Sequence, residues 1–181
     1  MADLPFLANR KGLEAGMNAV QALMQAGAHA VKLEGAAGNT DFIAHVVQSG
    51  VPVMGHIGLT PQFIHQLGGY KVQGKTEDSA ARLLQEVTAL EKAGCFSIVL
   101  ECVPEAVAEK ITKKLSISTI GIGAGVATDG QVLVFQDLLG LNTAFKPKFV
   151  KHFLNGAVLF GQAIEEYVAA VRKGEFPGHE H

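Results

Sequence analysis

The sequence of 181 residues contains no tryptophan, two tyrosines and two cysteines. Two cysteines cannot build a disulfide framework. Cys95 and Cys102 bracket one apolar stretch and would lie roughly 20 Å apart along an extended chain, whereas a disulfide needs Cα atoms within about 7 Å. Neither has a CxxC partner for zinc or redox work, so both read as small core residues. Basic runs are also missing, and the formal net charge is −2, which gives no electrostatic case for nucleic acid or an anionic membrane. No apolar run reaches the roughly 18 residues of a membrane span. The opening Met-Ala-Asp-Leu-Pro-Phe lacks the basic and apolar regions of a signal peptide, so the expected location is the cytoplasm. With no Pro/Ser-rich linker or low-complexity tract, residues 1–181 are expected to form a single domain.

What is present is a strongly apolar chain, 48% hydrophobic with 21 glycines, in which helical and strand patterns alternate. The spacing predicts helices over 12–26, 40–49 (capped by Asn39 or Thr40) and 77–93, another from Pro104 to about Leu115, and one over 147–173 with a break near Asn155-Gly156. Thr60-Pro61 reads as a helix start with proline in the first position. Strands are predicted at 30–35, 51–57, 96–102, 118–125 and 131–135, with a stub near Ala2–Phe6. Residues 68–75 have no period and read either as a mobile loop over a site or as a solvated surface loop, and 174–181 as a frayed tail. This alternation means a parallel sheet covered by helices. Five strands and a stub suit an open doubly wound sheet, and are too few for a closed eight-stranded barrel. Periodicity leaves the two architectures open.

Chemistry concentrates at the strand ends. Val31-Lys32-Leu33-Glu34 places two opposite charges on one face of an otherwise apolar strand. Residues 26–34, AGAHAVKLE, are echoed by 93–101, AGCFSIVLE, so Glu34 and Glu101 occupy equivalent places. In either architecture ligands bind at the carboxyl ends of the strands, where Asp3, Lys32, Glu34, His56 and Glu101 fall. Two carboxylates with water and substrate oxygens suit Mg²⁺. Glu101 follows a mainly apolar strand, a setting that suits a proton carrier. His56 has no second histidine at ligand spacing and reads as an orienting or packed residue. The plain readings beside these are a structural Lys32–Glu34 ion pair, a helix cap for Glu101 and a surface position for Asp3. Gly121-x-Gly123-x-Gly125 lacks the spacing of a dinucleotide fingerprint and reads as a tight turn or as a loop donating backbone N–H groups to an anion.

The stretches ADLPF (2–6), AGAHAVKLEG (26–35), GHIGLTPQ (55–62), GGYKVQGK (68–75), LECVP (100–104), IGIGAG (120–125) and DGQVLVFQDLLG (129–140), with the FPGHEH tail, resemble the ketopantoate hydroxymethyltransferase family over essentially the whole chain. The resemblance implies a TIM-like (β/α)₈ barrel of the phosphoenolpyruvate/pyruvate superfamily, cytoplasmic and homodecameric. It implies transfer of a one-carbon unit from 5,10-methylenetetrahydrofolate to 3-methyl-2-oxobutanoate, with Mg²⁺, in pantothenate biosynthesis. Carried over by motif, Asp3 and Glu34 would be Mg²⁺ ligands, Asp3 and Lys32 would contact the oxoacid, and Glu101 would be the proton acceptor. His56 would line the site without an assigned role. In the family, ADLPF belongs to the third strand, and the segment before it supplies an Asp-Ser pair that touches metal and oxoacid. Residues 1–181 open on Met-ADLPF, so the resemblance implies an N-terminally truncated barrel lacking the first two strands and most of the third. Two alternatives share these residues: a Mg²⁺-dependent oxoacid lyase or mutase of the same superfamily, and a non-catalytic remnant of the transferase.

Overall fold

A computed structural model describes residues 1–144 and 146–179. The chain divides into two compact units, residues 1–132 and 133–181. The first contains a six-stranded parallel sheet: β1 (Ala2–Asp3), β2 (Val31–Glu34), β3 (Val53–Gly58), β4 (Ser97–Glu101), β5 (Ser118–Ile122) and β6 (Gly130–Gln131). Its helices are α1 (Leu13–Gln25), α2 (Thr40–Gln48), α3 (Ile64–Leu67), α4 (Glu77–Lys92) and α5 (Glu105–Lys114).

The spatial order of the strands is their sequence order, β1 through β6. A doubly wound sheet reverses direction at a switch point. Here there is no reversal, and right-handed crossovers between consecutive strands place every connecting helix on the same side. The sheet is therefore singly wound, an arc of an incomplete barrel in which β1 and β6 are not paired with each other among the described residues. This topology decides the question that periodicity left open.

The register separates core from site. Val31, Leu33, Val53, Ile57, Ile98 and Leu100 point to the helix side, and they pack in one buried cluster with Val20, Ile43, Val46, Val87, Leu90 and Ile111. The alternate positions, Lys32, Glu34, His56 and Glu101, share the opposite face. Helix α4 begins with a capping box, in which the Thr76 hydroxyl accepts from the Ser79 N–H and the Ser79 hydroxyl from the Thr76 N–H.

At the other end of α4, Glu91 accepts from the Ser116 hydroxyl and from its N–H, both at 2.7 Å, tying the helix to the segment that enters β5. The hydroxyl bond first, and then the backbone bond, hold the Glu91 carboxyl below its usual range. Its folded value is thus lower than its unfolded one. The stabilisation is present above the unfolded carboxylate range, near pH 4.3, and is lost as pH falls through the folded value. Because the group is largely exposed the effect is small. Glu91→Gln is expected to melt slightly below the parent at pH 6, with the gap closing in melts recorded between pH 4 and pH 3.

Both cysteines are free and buried. Burial pushes the Cys95 thiol up to about 12, against a weaker opposing bond with the Gly55 backbone. Burial and then the neighbouring Glu101 carboxylate push Cys102 up to about 11. At pH 8 the thiolate fractions are roughly one in ten thousand and one in a thousand. Iodoacetamide at that pH is expected to leave the native protein unmodified and to add two groups after unfolding, as read by intact mass.

Several boundaries differ from the sequence expectation. The strand expected over 131–135 is only Gly130–Gln131, and Phe135 instead opens a short helix, α6 (Phe135–Leu138). Helix α7 spans Gly156–Lys173 rather than 147–173, because the chain before it serves as a brace. There the N–H groups of Phe153 and Gly156 bond to the carbonyls of Leu138 and Leu139, distant partners in place of helical ones. Thr60 precedes a 3₁₀ turn, Pro61–Phe63, but donates no side-chain cap. Glu180 and His181, the end of the expected frayed tail, lie outside the described residues.

Candidate active site

The strand ends bring Asp3, Lys32, Glu34, His56 and Glu101 together on one face. Registers place Asp3 beside Lys32 and Glu34 beside His56, and Gly58 beside Glu101. Lys32 Nζ lies 2.5 Å from Asp3 Oδ1, 4.0 Å from Glu34 Oε1 and 3.3 Å from His56 Nδ1. The closest carboxylate to Lys32 is therefore its cross-strand neighbour and not Glu34, two residues away. Parallel pairing puts Asp3 directly alongside, whereas Glu34 is held back by another bond. Its Oε2 accepts the Gln62 N–H at 2.8 Å, which leaves Oε1 facing Lys32 and His56.

His56 is 2% exposed, and its tautomer follows from Lys32. An ammonium has donors only, so Nδ1 must accept, and the ring proton sits on Nε2. Nε2 is 3.2 Å from Glu101 Oε2, but the angle falls short of a hydrogen bond and Nε2 is left without an aligned partner. A buried N–H in that state favours any acceptor brought into line. Glu101 Oε2 is the carboxylate oxygen within reach of it. Glu101 itself is less enclosed than its apolar strand suggests, with its side chain 18% exposed.

The residues after the strands hold this face in place. Cys102 follows Glu101 in a left-handed conformation, φ 49°, which costs about 1 kcal/mol or more for a residue other than glycine. It is held there because its N–H bonds to the Ile122 carbonyl and its carbonyl accepts from Gln73 N–H. That second bond docks the 68–75 segment against the end of β4, giving this expected loop a fixed contact next to Glu101.

Asn39 stands at the N-cap of α2, where its carbonyl accepts from the Ile43 N–H, but its side chain makes no cap bond. Its amide instead donates to the carbonyls of Glu34 and Gly35 and its oxygen accepts from Asn9. A cavity of about 250 Å³ opens beside Glu34, bounded by Leu4, Phe6, Leu33, Gln62 and Phe63. Sequence reasoning passed over Asn9 and Gln62 and read Asn39 only as a helix cap, since partners 28 to 58 positions apart carry no local signal. The one legible hint was the proline of Thr60-Pro61-Gln62, because a helical start leaves the next N–H free to donate.

Asp3 and Glu34 are hard oxygen donors on neighbouring strands. The described residues hold no group of three or more His, Cys, Asp or Glu side chains arranged for a metal. A donor set of two carboxylates fits Mg²⁺, which keeps several waters, better than a cation needing a full protein cage. Lys32 now supplies the positive charge between these carboxylates, so an entering cation requires its ammonium to swing aside.

Comparison with known proteins places this geometry in context. Residues 1–179 match the family described as ketopantoate hydroxymethyltransferase. A Francisella tularensis protein named 3-methyl-2-oxobutanoate hydroxymethyltransferase is 60% identical over all 181 residues, which span 69% of its length. Proteins of the same name from Bdellovibrio bacteriovorus and Coxiella burnetii are 58% and 56% identical, with 98% of this chain covering 67% of each. A crystal structure of "a putative phosphonomutase from Burkholderia cenocepacia" aligns with 95% of this chain and 68% of its own, at a TM-score of 0.53 and 14% identity. That likeness concerns the fold alone.

Proposed function

Because this chain belongs to the ketopantoate hydroxymethyltransferase family, we propose that it transfers a hydroxymethyl group to 3-methyl-2-oxobutanoate, giving 2-dehydropantoate for pantothenate synthesis. The one-carbon donor in this reading is 5,10-methylenetetrahydrofolate, with water supplying the hydroxyl oxygen and tetrahydrofolate leaving. The observation that carries it is the convergence of Asp3, Lys32, Glu34, His56 and Glu101 on one face at the carboxyl ends of four adjacent strands.

In this reading Asp3 and Glu34 hold Mg²⁺. When bound, the ion supplies Lewis-acid polarisation of the oxoacid carbonyl. Lys32 binds the oxoacid and places positive charge where negative charge develops on its oxygen. Glu101 removes the proton from the carbon beside the carbonyl, and that carbon's freed electron pair forms the bond to the folate methylene carbon. His56, with its Nε2–H towards Glu101, orients the base.

A homodecamer in the cytoplasm completes the proposal, with residues 1–181 belonging to one barrel domain. Exposed apolar side chains at helical spacing on α7, Phe160, Ile164 and Val171 among them, support a surface covered by another subunit. No helix among the described residues is long and apolar enough to cross a membrane.

The test is a product assay on purified protein with the oxoacid, methylenetetrahydrofolate and Mg²⁺, run beside size-exclusion chromatography. Formation of 2-dehydropantoate that stops on chelation, from an assembled species, is the expected result. A folded protein that binds oxoacid and Mg²⁺ yet forms no product would overturn the assignment in favour of a non-catalytic role.

A further inference from the structure

Asp3 carries a demanding position on slender support. Strand β1 has two residues and one neighbour, and its main chain is fixed by bonds from Ala2 N–H to the Ala30 carbonyl and from Leu4 N–H to the Lys32 carbonyl. A third bond comes from far along the chain. Gln62 Nε2 donates to the Leu4 carbonyl at 2.8 Å. The same residue gives its backbone N–H to Glu34 Oε2, also at 2.8 Å. One glutamine thus grips the carboxylate at the end of β2 and the main chain one residue past the carboxylate of β1.

We propose that Gln62 is a positioning residue that sets the separation of Asp3 and Glu34 and thereby their joint hold on a divalent cation. This rests on the reading of those two carboxylates as the Mg²⁺ ligands. The geometry explains the residue type. Pro61 has no N–H, and the first donors of a helical turn lack partners within it, so Gln62 N–H is free to bind Glu34 Oε2 and leave Oε1 facing Lys32 and His56. The side chain must then reach the Leu4 carbonyl with a donor. Glutamine supplies one without charge, whereas glutamate would set a carboxylate against a carbonyl and next to Glu34. Outer partners of this kind commonly change metal affinity by about 10- to 100-fold.

The test is Mn²⁺ titration of the intact chain, followed by the electron paramagnetic resonance signal of free Mn²⁺, for the parent, Gln62→Leu, Gln62→Ala and the nearby control Gln66→Leu. Thermal melts accompany each titration. The expected result is Mn²⁺ binding at least about tenfold weaker in both Gln62 variants, with melting close to the parent, and parent-like binding in Gln66→Leu. If the leucine variant does not fold, the alanine variant decides. Parent-like binding in the folded Gln62 variants overturns this inference while leaving the metal reading intact. Failure of the parent to bind Mn²⁺ overturns the metal reading, and this inference with it.

Discussion

Glu101→Gln is expected to lower turnover by about 10²- to 10⁴-fold, the span that a positioned general base commonly contributes. The substitution keeps the shape of the side chain and an oxygen that can receive the His56 Nε2–H, now 3.2 Å from Oε2. It removes the group that takes the proton in the proposed reaction. Nothing that holds the rest of the site depends on that charge. Lys32 pairs with Asp3, and Glu34 is held by the Gln62 N–H. Binding of Mg²⁺ and of oxoacid should therefore stay within a few-fold of the parent. The clearest measurement omits the folate and follows loss of the oxoacid's C3 proton signal in D₂O by NMR. The parent should exchange this proton in a Mg²⁺-dependent way and Glu101→Gln should not. Equal exchange in both would assign the proton transfer to another residue.

The second large effect is on stability, at a position where fold and site meet. Gly58 ends β3 in register with Glu101, at φ +90°. A Cβ there would stand 2.2 Å from the Glu101 carbonyl oxygen, which is main chain and cannot rotate away. That same oxygen accepts the Leu59 N–H at 2.8 Å. Gly58→Ala thus combines an unfavourable left-handed backbone with a clash that prises apart the ends of β3 and β4. About 3 kcal/mol is expected, equivalent to a fall of roughly 6–12 °C in melting midpoint for a domain of this size. Glu101 would also move relative to His56, so activity should fall further than stability alone predicts. A calorimetric midpoint within about 2 °C of the parent would show that the strand ends are free to spread.

Much of this was legible in the sequence for identifiable reasons. The regular alternation of helix and strand patterns exposed the parallel α/β class, and the apolar side of each helix supplied Val20, Ile43, Val87 and Ile111 to the core. The repeat of AGAHAVKLE in AGCFSIVLE singled out two glutamates at equivalent strand ends. The readings that moved were those where a side chain had a distant alternative. Asn39 has a cap residue's chemistry and position, but Asn9 takes its side-chain oxygen and two carbonyls at the end of β2 take its amide. Phe153 lies in a stretch of helical composition, yet its N–H bonds to the Leu138 carbonyl.

The sequence by itself determined the type of most elements, the family, and the short set of polar residues at the strand ends, because periodicity and motif are local properties of the chain. The tertiary structure decided the rest. The unbroken strand order makes the sheet an arc of a barrel rather than a doubly wound sheet. Strand register makes Asp3, and not Glu34, the nearest carboxylate to Lys32. Distant hydrogen bonds from Gln62 join two strand ends that no local pattern relates. Order, register and distant bonds all depend on which strands lie side by side, and that is settled only when the apolar face of each strand is buried against its helix.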